Sequence, residues 1–333
     1  MIYRPLVQSG HARPLGAVSL AGGALWFTHA EALSRGAAPV IVEAGQIPGE
    51  MLDRLSAARA PIAGMRFERA NLMGILNVTP DSFSDGGQNF DPADALVSAR
   101  AMAEAGVDIL DIGGESTRPG AQSVSASEEI RRTAPVIAAI RAQLGVALSI
   151  DTRKAEVAGA ALVAGASLVN DVAGFTHDPA LAPLCAAQGV PVCVMHAQGD
   201  PATMQDDPQY DDVVQDVYAF LAARIDDLSA AGIARDQIIV DPGIGFGKTI
   251  AHNLELLRNI AVFHGLGCPI LLGASRKRFI GVIGNAPVAA DRAPGSIAVG
   301  LAALAQGVQI LRVHDVIETA QAVHLWNAAR EMA

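Results

Sequence analysis

The chain has 333 residues, of which 51% are hydrophobic but only 4% aromatic, and a formal net charge of −10. That length admits one large α/β domain with an appendage or two modest domains; a composition rich in Ala, Gly, Val, Leu and Ile suits helices packed around a buried parallel sheet and excludes a disordered chain. The acidic balance, without any run of Lys or Arg, excludes general nucleic-acid binding and leaves room for a local anion site.

The amino terminus, MIYRPLVQSGHARPL, lacks the basic patch, apolar stretch and small-residue cleavage site of a secretory signal, so a cytoplasmic location is expected. Residues 1–70 read as a small α/β extension, from the apolar residues at Val40–Val42 and the breakers Gly45 and Pro48; no side chain in it suggests chemistry. Cys185, Cys193 and Cys268 are far apart and sit in apolar surroundings, which predicts buried thiols and neither a disulfide framework nor a metal site.

Across residues 71–333, apolar runs alternate with Ala-rich stretches of helical pattern. Gly106, Gly145, Gly165, Gly189, Gly232, Gly267 and Gly307 each follow such a stretch, where a left-handed residue ends a helix. Asp91-Pro92 and Asp178-Pro179 each pair an N-cap with a first-turn proline, and Ser125 with Glu128 has capping-box spacing. The strands between these marks are Leu72–Leu76, Val107–Ile112, Val146–Ile150, Ser167–Val169, Val190–Met195, Ile238–Val240, Pro269–Leu272 and Val308–Val313. Ala293–Leu311 is uncharged, but Gly295, Ser296, Gln306, Gly307 and Gln309 interrupt it, so a buried helix followed by a strand is expected there and no membrane span. Strand–helix alternation repeated this often predicts an α/β fold of the closed (β/α)8 TIM-barrel type with a small N-terminal α/β extension.

Active sites of such barrels lie at the carboxyl ends of the strands. Here every strand closes on a side chain able to do chemistry. In chain order these are Asn77, Asp111, Asp151, Asn170-Asp171, His196, Asp241, Ser275-Arg276-Lys277, and Arg312 with His314. Carboxylates and amides can read the donor–acceptor edge of a small polar heterocycle, while Arg312, His314 and a metal can neutralise an anionic group on it. Arg312 and His314 lie two apart on one side of a strand, which favours anion binding; for His196 a structural and a functional role stay equally open. No two histidines have zinc-ligand spacing. Gly243–Thr249 looks like a phosphate-binding loop but has Pro242 where the first glycine belongs, and Lys248 stands where a dinucleotide fingerprint needs its last glycine. What remains is a backbone able to approach a flat ligand, with Phe246 beside it. Arg100, Arg131, Arg132, Arg141, Arg224 and Arg330 fall on predicted helices and read as solvated faces.

The stretch Leu72-Met-Gly-Ile-Leu-Asn-Val-Thr-Pro-Asp-Ser-Phe-Ser-Asp-Gly-Gly87, followed by Ala105-Gly-Val-Asp-Ile-Leu-Asp-Ile-Gly-Gly-Glu-Ser-Thr-Arg-Pro-Gly120, closely resembles the paired signatures of the dihydropteroate synthase family. The resemblance continues through Ser149-Ile-Asp-Thr152, Asn170-Asp171, Met195-His196, Asp241-Pro-Gly-Ile-Gly-Phe-Gly-Lys248, Ser275-Arg-Lys277 and Arg312-Val-His-Asp315. It implies joining of 6-hydroxymethyl-7,8-dihydropterin diphosphate to 4-aminobenzoate, giving 7,8-dihydropteroate and diphosphate, with Lys277, Arg312 and His314 as the catalytic cations. It places Asp151, Asn170, Met195, Asp241, Gly245, Phe246 and Lys277 around the pterin. Asn77, Thr117, Arg118, Pro119, Ser275, Arg312 and His314 would serve the diphosphate and 4-aminobenzoate, and Asn77 would ligate Mg2+. The loops at Thr79–Gly87 and Ser116–Gly120 would close over the site, and a homodimer is implied. Two other readings compete: a corrinoid-linked methyltransferase on the same barrel, which needs no diphosphate subsite, and a pterin-binding protein without catalysis.

Overall fold

The computed structural model describes residues 1–79, 92–116, 123–199 and 203–330. In the extension, β1 (Ile2–Pro5), β4 (His29–Leu33) and β5 (Val40–Glu43) form an antiparallel sheet in the order β1-β4-β5, and β2 (Val18–Ser19) pairs with β3 (Trp26–Phe27). Helix α1 (Gly49–Ser56) completes it, burying Leu55 against Phe27, Ala30, Ile47 and Leu20. The extension packs on a 3-10 segment at Ile260–Leu266, and the Arg4 and Arg59 guanidinium groups donate to the carbonyls of Arg258 and His264, each at 3.1 Å.

The barrel follows as β6 (Asn71–Asn77), α2 (Pro92–Glu104), β7 (Ile109–Gly113), α3 (Ala126–Gln143), β8 (Ala147–Asp151), α4 (Ala155–Ala164), β9 (Leu168–Asp171), α5 (Leu181–Gln188), β10 (Val192–Met195), α6 (Val213–Ala230), β11 (Ile238–Asp241), α7 (Ile250–Arg258), β12 (Leu271–Leu272), α8 (Arg278–Ile283), α9 (Ala293–Leu304), β13 (Ile310–Val313) and α10 (Val316–Ala329). All eight strands run parallel in the order β11-β10-β9-β8-β7-β6-β13-β12, and a parallel bridge from Val240 to Ile270 closes the ring. This is the TIM barrel expected, and Ala293–Leu311 is indeed a helix leading into a strand. No helix among the described residues is long and apolar enough to cross a membrane.

Alternation along each strand divides the barrel into two cores. Outward residues such as Leu110, Ile150, Val169, Val194 and Val240 meet the helices in one large cluster. Inward residues Met73, Ile109, Leu168, Cys193, Ile239, Leu271 and Ile310 form a second cluster inside, and Ile62, Met65 and Phe67 join it. Packing therefore does not stop at residue 70: a bridged turn at Ile62 and Met65 fills the amino-terminal mouth of the barrel. Two residues further along the inward face the apolar layer gives way to Asp111, Ser149, Asn170, Asp241 and Arg312. The polar layer lies inside the ends of the strands, which is why β7, β8, β9 and β11 run on through residues whose polarity reads as a strand end.

Local signals fared unevenly. Gly165 closes α4 in the left-handed conformation, with φ 117°. Gly145 does not close α3, whose C-cap is Leu144 in extended geometry, with φ −124°. Ser125 accepts from the Glu128 amide at 3.3 Å, but the Glu128 carboxylate turns to Arg131 and Arg132 and leaves the capping box half made. Asp178 caps a different helix from the one expected: it accepts from the Ala155 amide at 2.8 Å, at the start of α4, as well as from Ala180. Asp91 lies outside the described residues.

Candidate active site at the carboxyl ends of the strands

Arg312, on β13, lies at the centre of the polar layer. Its Nε donates to Asp111 at 2.6 Å and its Nη2 to Asp151 at 2.7 Å, while the Asn170 amide donates to the same Asp111 oxygen at 3.0 Å. Burying such charges costs solvation, and only a planar guanidinium reaching both carboxylates with directed hydrogen bonds recovers it. Burial pushes Arg312 down, but Asp111 and Asp151 outweigh that and hold its pKa above the usual arginine value. Burial pushes the Asp151 carboxyl up to about 7; Arg312 opposes the rise and Asp111 adds to it.

The other side of the mouth is built by the loops after β11 and β12. Asp241 accepts from the Gly243 amide at 2.7 Å, and its carboxyl is raised, mainly by burial. Gly273 lies alongside: a Cβ there would stand in ordinary contact with Asp241 Oδ2, at 3.5 Å. The Lys277 ammonium sits 3.9 Å from the centroid of the Phe246 ring, and Gly245 passes so near that a Cβ would come within 3.0 Å of the lysine stem. Burial lowers Lys277 to about 8, against the raising influence of Asp241. Met195 is buried beside Gly243.

At the rim, Ser275 Oγ and His314 Nδ1 are 3.0 Å apart, and the His314 amide donates to the same hydroxyl at 3.2 Å. Asn77 Oδ1 and Asp151 Oδ2 face the same point over Gly113, 3.7 and 3.8 Å from where its Cβ would stand. Below them, Asp111 Oδ1 and Ser149 Oγ are buried without a hydrogen-bond partner among the described residues, an uncommon state that favours a polar ligand or water nearby. No cluster of three or more His, Cys, Asp and Glu side chains fit for a metal ion occurs among the described residues.

The structure thus brings together Asp151, Asn170, Asp241, Gly245, Phe246, Lys277, Ser275, Arg312, His314, Met195 and Asn77 at one end of the barrel. Thr117, Arg118 and Pro119, and most of the Thr79–Gly87 segment, lie outside the described residues. His196 packs inward: its Nδ1 lies 2.8 Å from the Lys248 ammonium, its ring stands edge-on to Phe220, and burial with the Lys248 charge lowers its pKa to about 2. Asp171 accepts from the amides of Ala173 and Phe175 and shapes its own loop. Arg276, with φ 57°, turns away to pair with Asp315. Two features escaped the sequence reading. Lys248, buried and lowered by burial to about 7, lies beneath the Gly243–Phe246 turn. Lys154 forms ion pairs with both Glu115 and Glu129, and Glu115 also accepts from the Val124 amide at 3.1 Å, across the loop after β7. The only sequence signal for either is a charge inside an otherwise apolar or glycine-rich stretch.

Known proteins resemble this chain in sequence and in fold. The profile of the family described as "Pterin binding enzyme" matches residues 73–314. Dihydropteroate synthase of Escherichia coli strain K12 is 46% identical over 258 residues, 78% of this chain and 91% of that protein. A Haloferax volcanii protein described as a probable bifunctional folylpolyglutamate synthase/dihydropteroate synthase is 50% identical over 260 residues, but the chain spans only 30% of its length. Among solved structures, Yersinia pestis dihydropteroate synthase in a sulfonamide drug complex superposes with a TM-score of 0.77 at 44% identity, covering 82% of this chain and 99% of that one. Xanthomonas albilineans dihydropteroate synthase in complex with 7,8-dihydropteroate gives 0.73 at 40% identity, covering 81% and 97%.

Proposed function

This chain belongs to the family of pterin-binding enzymes and is a transferase of the dihydropteroate synthase kind, and we propose how its residues divide the work of joining 6-hydroxymethyl-7,8-dihydropterin diphosphate to 4-aminobenzoate. The observation that carries the reading is the inward polar layer, where Asp111, Asp151, Asn170 and Arg312 are linked by hydrogen bonds and face Asp241 and Lys277.

Asp241, Asn170 and Asp151 present acceptors and a donor to the amino and ring nitrogens of the pterin, with Lys277 held against Phe246 at its edge and Met195 and Gly245 closing the pocket. Arg312, already shared between two carboxylates, and His314 at the rim bear on the diphosphate side; charge placed there stabilises the departing anion as the carbon–oxygen bond lengthens. Asn77 would hold Mg2+: a single amide oxygen, facing a carboxylate oxygen at the strand mouth, suits a hard cation that keeps most of its waters and takes its other ligands from the diphosphate. The ion would supply further neutralisation of the leaving group. Thr117, Arg118, Pro119, Phe246 and Ser275 are assigned to 4-aminobenzoate. Its amine is nucleophilic when neutral, so positioning and not a strong base drives attack.

A homodimer in the cytoplasm completes the proposal. Exposed Val282, Ile283 and Val288 at the end of α8 and just beyond support a protein contact, and three buried free cysteines suit a reducing compartment. The test is diphosphate release with the pterin diphosphate, magnesium and 4-aminobenzoate, omitting each in turn and weighing the pterin product. Release that depends on 4-aminobenzoate, with dihydropteroate formed, supports the reading; pterin binding without turnover would point to a non-catalytic binder.

A further inference from the structure

Lys248 makes contacts that no step above uses. Only 3% of its surface is exposed. Its ammonium donates to the carbonyls of Gly243 and Phe246, both at 2.9 Å, lies 2.8 Å from His196 Nδ1 and has the His196 carbonyl at 3.4 Å. One side chain therefore ties the loop after β11 to the loop after β10. The backbones of the two loops are already pressed together: a Cβ on Gly243 would lie 1.8 Å from the His196 carbonyl oxygen, and one on Gly247 2.5 Å from that of Gln198. An ammonium offers three donors from a compact centre, which is what two carbonyls and an imidazole nitrogen converging on one point require.

The two residues whose carbonyls Lys248 holds lead to the pterin subsite by separate routes. Gly243 donates its amide to Asp241, fixing that carboxylate. Phe246 presents its ring to Lys277. The other restraints on the loop are the Phe246 amide, which donates to the Gly243 carbonyl at 3.2 Å, Asn253 and Gln205, which hold Gly245, and Tyr210, which holds Gly247.

We infer that Lys248 is a positioning residue for pterin recognition, acting through Gly243 on Asp241 and through Phe246 on Lys277 while touching no substrate itself. The inference rests on the assignment of Asp241 and Lys277 to the pterin. It predicts a larger effect on the pterin than on 4-aminobenzoate, since both routes from Lys248 lead to pterin residues and only the Phe246 ring is shared with the second substrate.

The experiment compares the full-length wild type with Lys248→Met, Phe246→Leu and the double variant. Methionine keeps length and volume and removes the donors. Binding of 6-hydroxymethylpterin, which lacks the diphosphate, is followed by calorimetry, and KM is measured for both substrates. In Lys248→Met, pterin binding should weaken and KM for the pterin diphosphate rise by about tenfold, with KM for 4-aminobenzoate moving less than about twofold. In the Phe246→Leu background the same substitution should cost clearly less, because one of its two routes is already cut. Equal rises in both KM values, or full additivity, would overturn the inference and leave Lys248 a general structural residue. Should Lys248→Met not fold, Lys248→Leu also removes every donor with a smaller side chain; unchanged pterin affinity in that folded variant overturns it equally. A wild type that fails to bind the pterin removes the premise itself, whereas a binding wild type with an unaltered variant defeats only the role given to Lys248.

Discussion

Arg312 and Asp111 meet at 2.6 Å inside the barrel although 201 residues separate them in the chain. Asp111 has no exposed surface, and the oxygen that receives Arg312 also receives the Asn170 amide, so one carboxylate sets the direction of a cation and of a neutral reader on two other strands. Removing it leaves a buried guanidinium with Asp151 alone. Asp111→Ala should lower stability by about 3 kcal/mol and cut kcat/KM, because Arg312 and Asn170 lose their common anchor. Urea unfolding together with steady-state kinetics checks both. Native-like stability would mean that Asp151 alone compensates the charge.

Gly243 supports a sharper expectation. Its φ of 69° disfavours any L side chain, and an added Cβ would meet the His196 carbonyl oxygen at 1.8 Å, a rigid backbone atom that cannot swing away. Gly243→Ala should therefore cost on the order of 4 kcal/mol or force the two loops apart and abolish pterin binding. Full pterin affinity at wild-type stability would show that the turn adapts, and would weaken the view that Asp241 is held by it.

These two cases mark what the sequence can and cannot reveal. That Asp151, Asn170, Asp241 and Arg312 gather at one end was legible, because a parallel barrel brings all its strand ends together and polar residues interrupt each apolar run. Which of them pair was not: Arg312 on β13 reaches Asp111 and Asp151 across the interior, past β6, and no sequence spacing encodes a contact through the middle of a barrel. Lys248 was hidden for a different reason. A lysine before a helix ordinarily reads as solvated, and only the folded-back turn of Gly243, Gly245 and Gly247 buries it. His196 shows the same limit from the other side, since its place at a strand end gives no sign that its ring meets the Lys248 ammonium.

The pH dependence of stability follows from Asp151. Burial is the main reason that its carboxyl rises from 3.8 to about 7, with Arg312 opposing and Asp111 reinforcing. Between those values the folded protein keeps a proton that the unfolded chain has lost. The folded state then binds more protons, so stability falls as pH rises through the window. Asp171, pushed up to about 6 chiefly by burial, acts in the same direction over the lower part. Asp151→Asn cannot titrate and should flatten the slope without reversing it. Urea midpoints for wild type and variant at the two ends of the window check this; identical slopes would assign the dependence to other groups.

The amino-terminal mouth of the barrel offers a test of how far the extension is part of the fold. Ile62 and Met65, bridged across a turn and each 1% exposed, sit among Met73, Ile109, Leu168 and Ile310 on the inward faces of the strands, remote in the structure from Asp241 and Lys277 at the opposite end. The turn follows Pro61 and has Ala63 and Gly64, both left-handed, between Ile62 and Met65, a stretch with no hydrophobic periodicity to announce it. Met65→Ala would open a cavity that rigid strands on all sides cannot collapse into, and it should cost about 3 kcal/mol. Because the polar layer lies beyond the apolar one, both KM values should stay near those of the wild type. A loss below about 0.5 kcal/mol would show the turn to be surface decoration, while a large change in KM for the pterin diphosphate would mean that packing at the closed end of the barrel reaches the site at its open end.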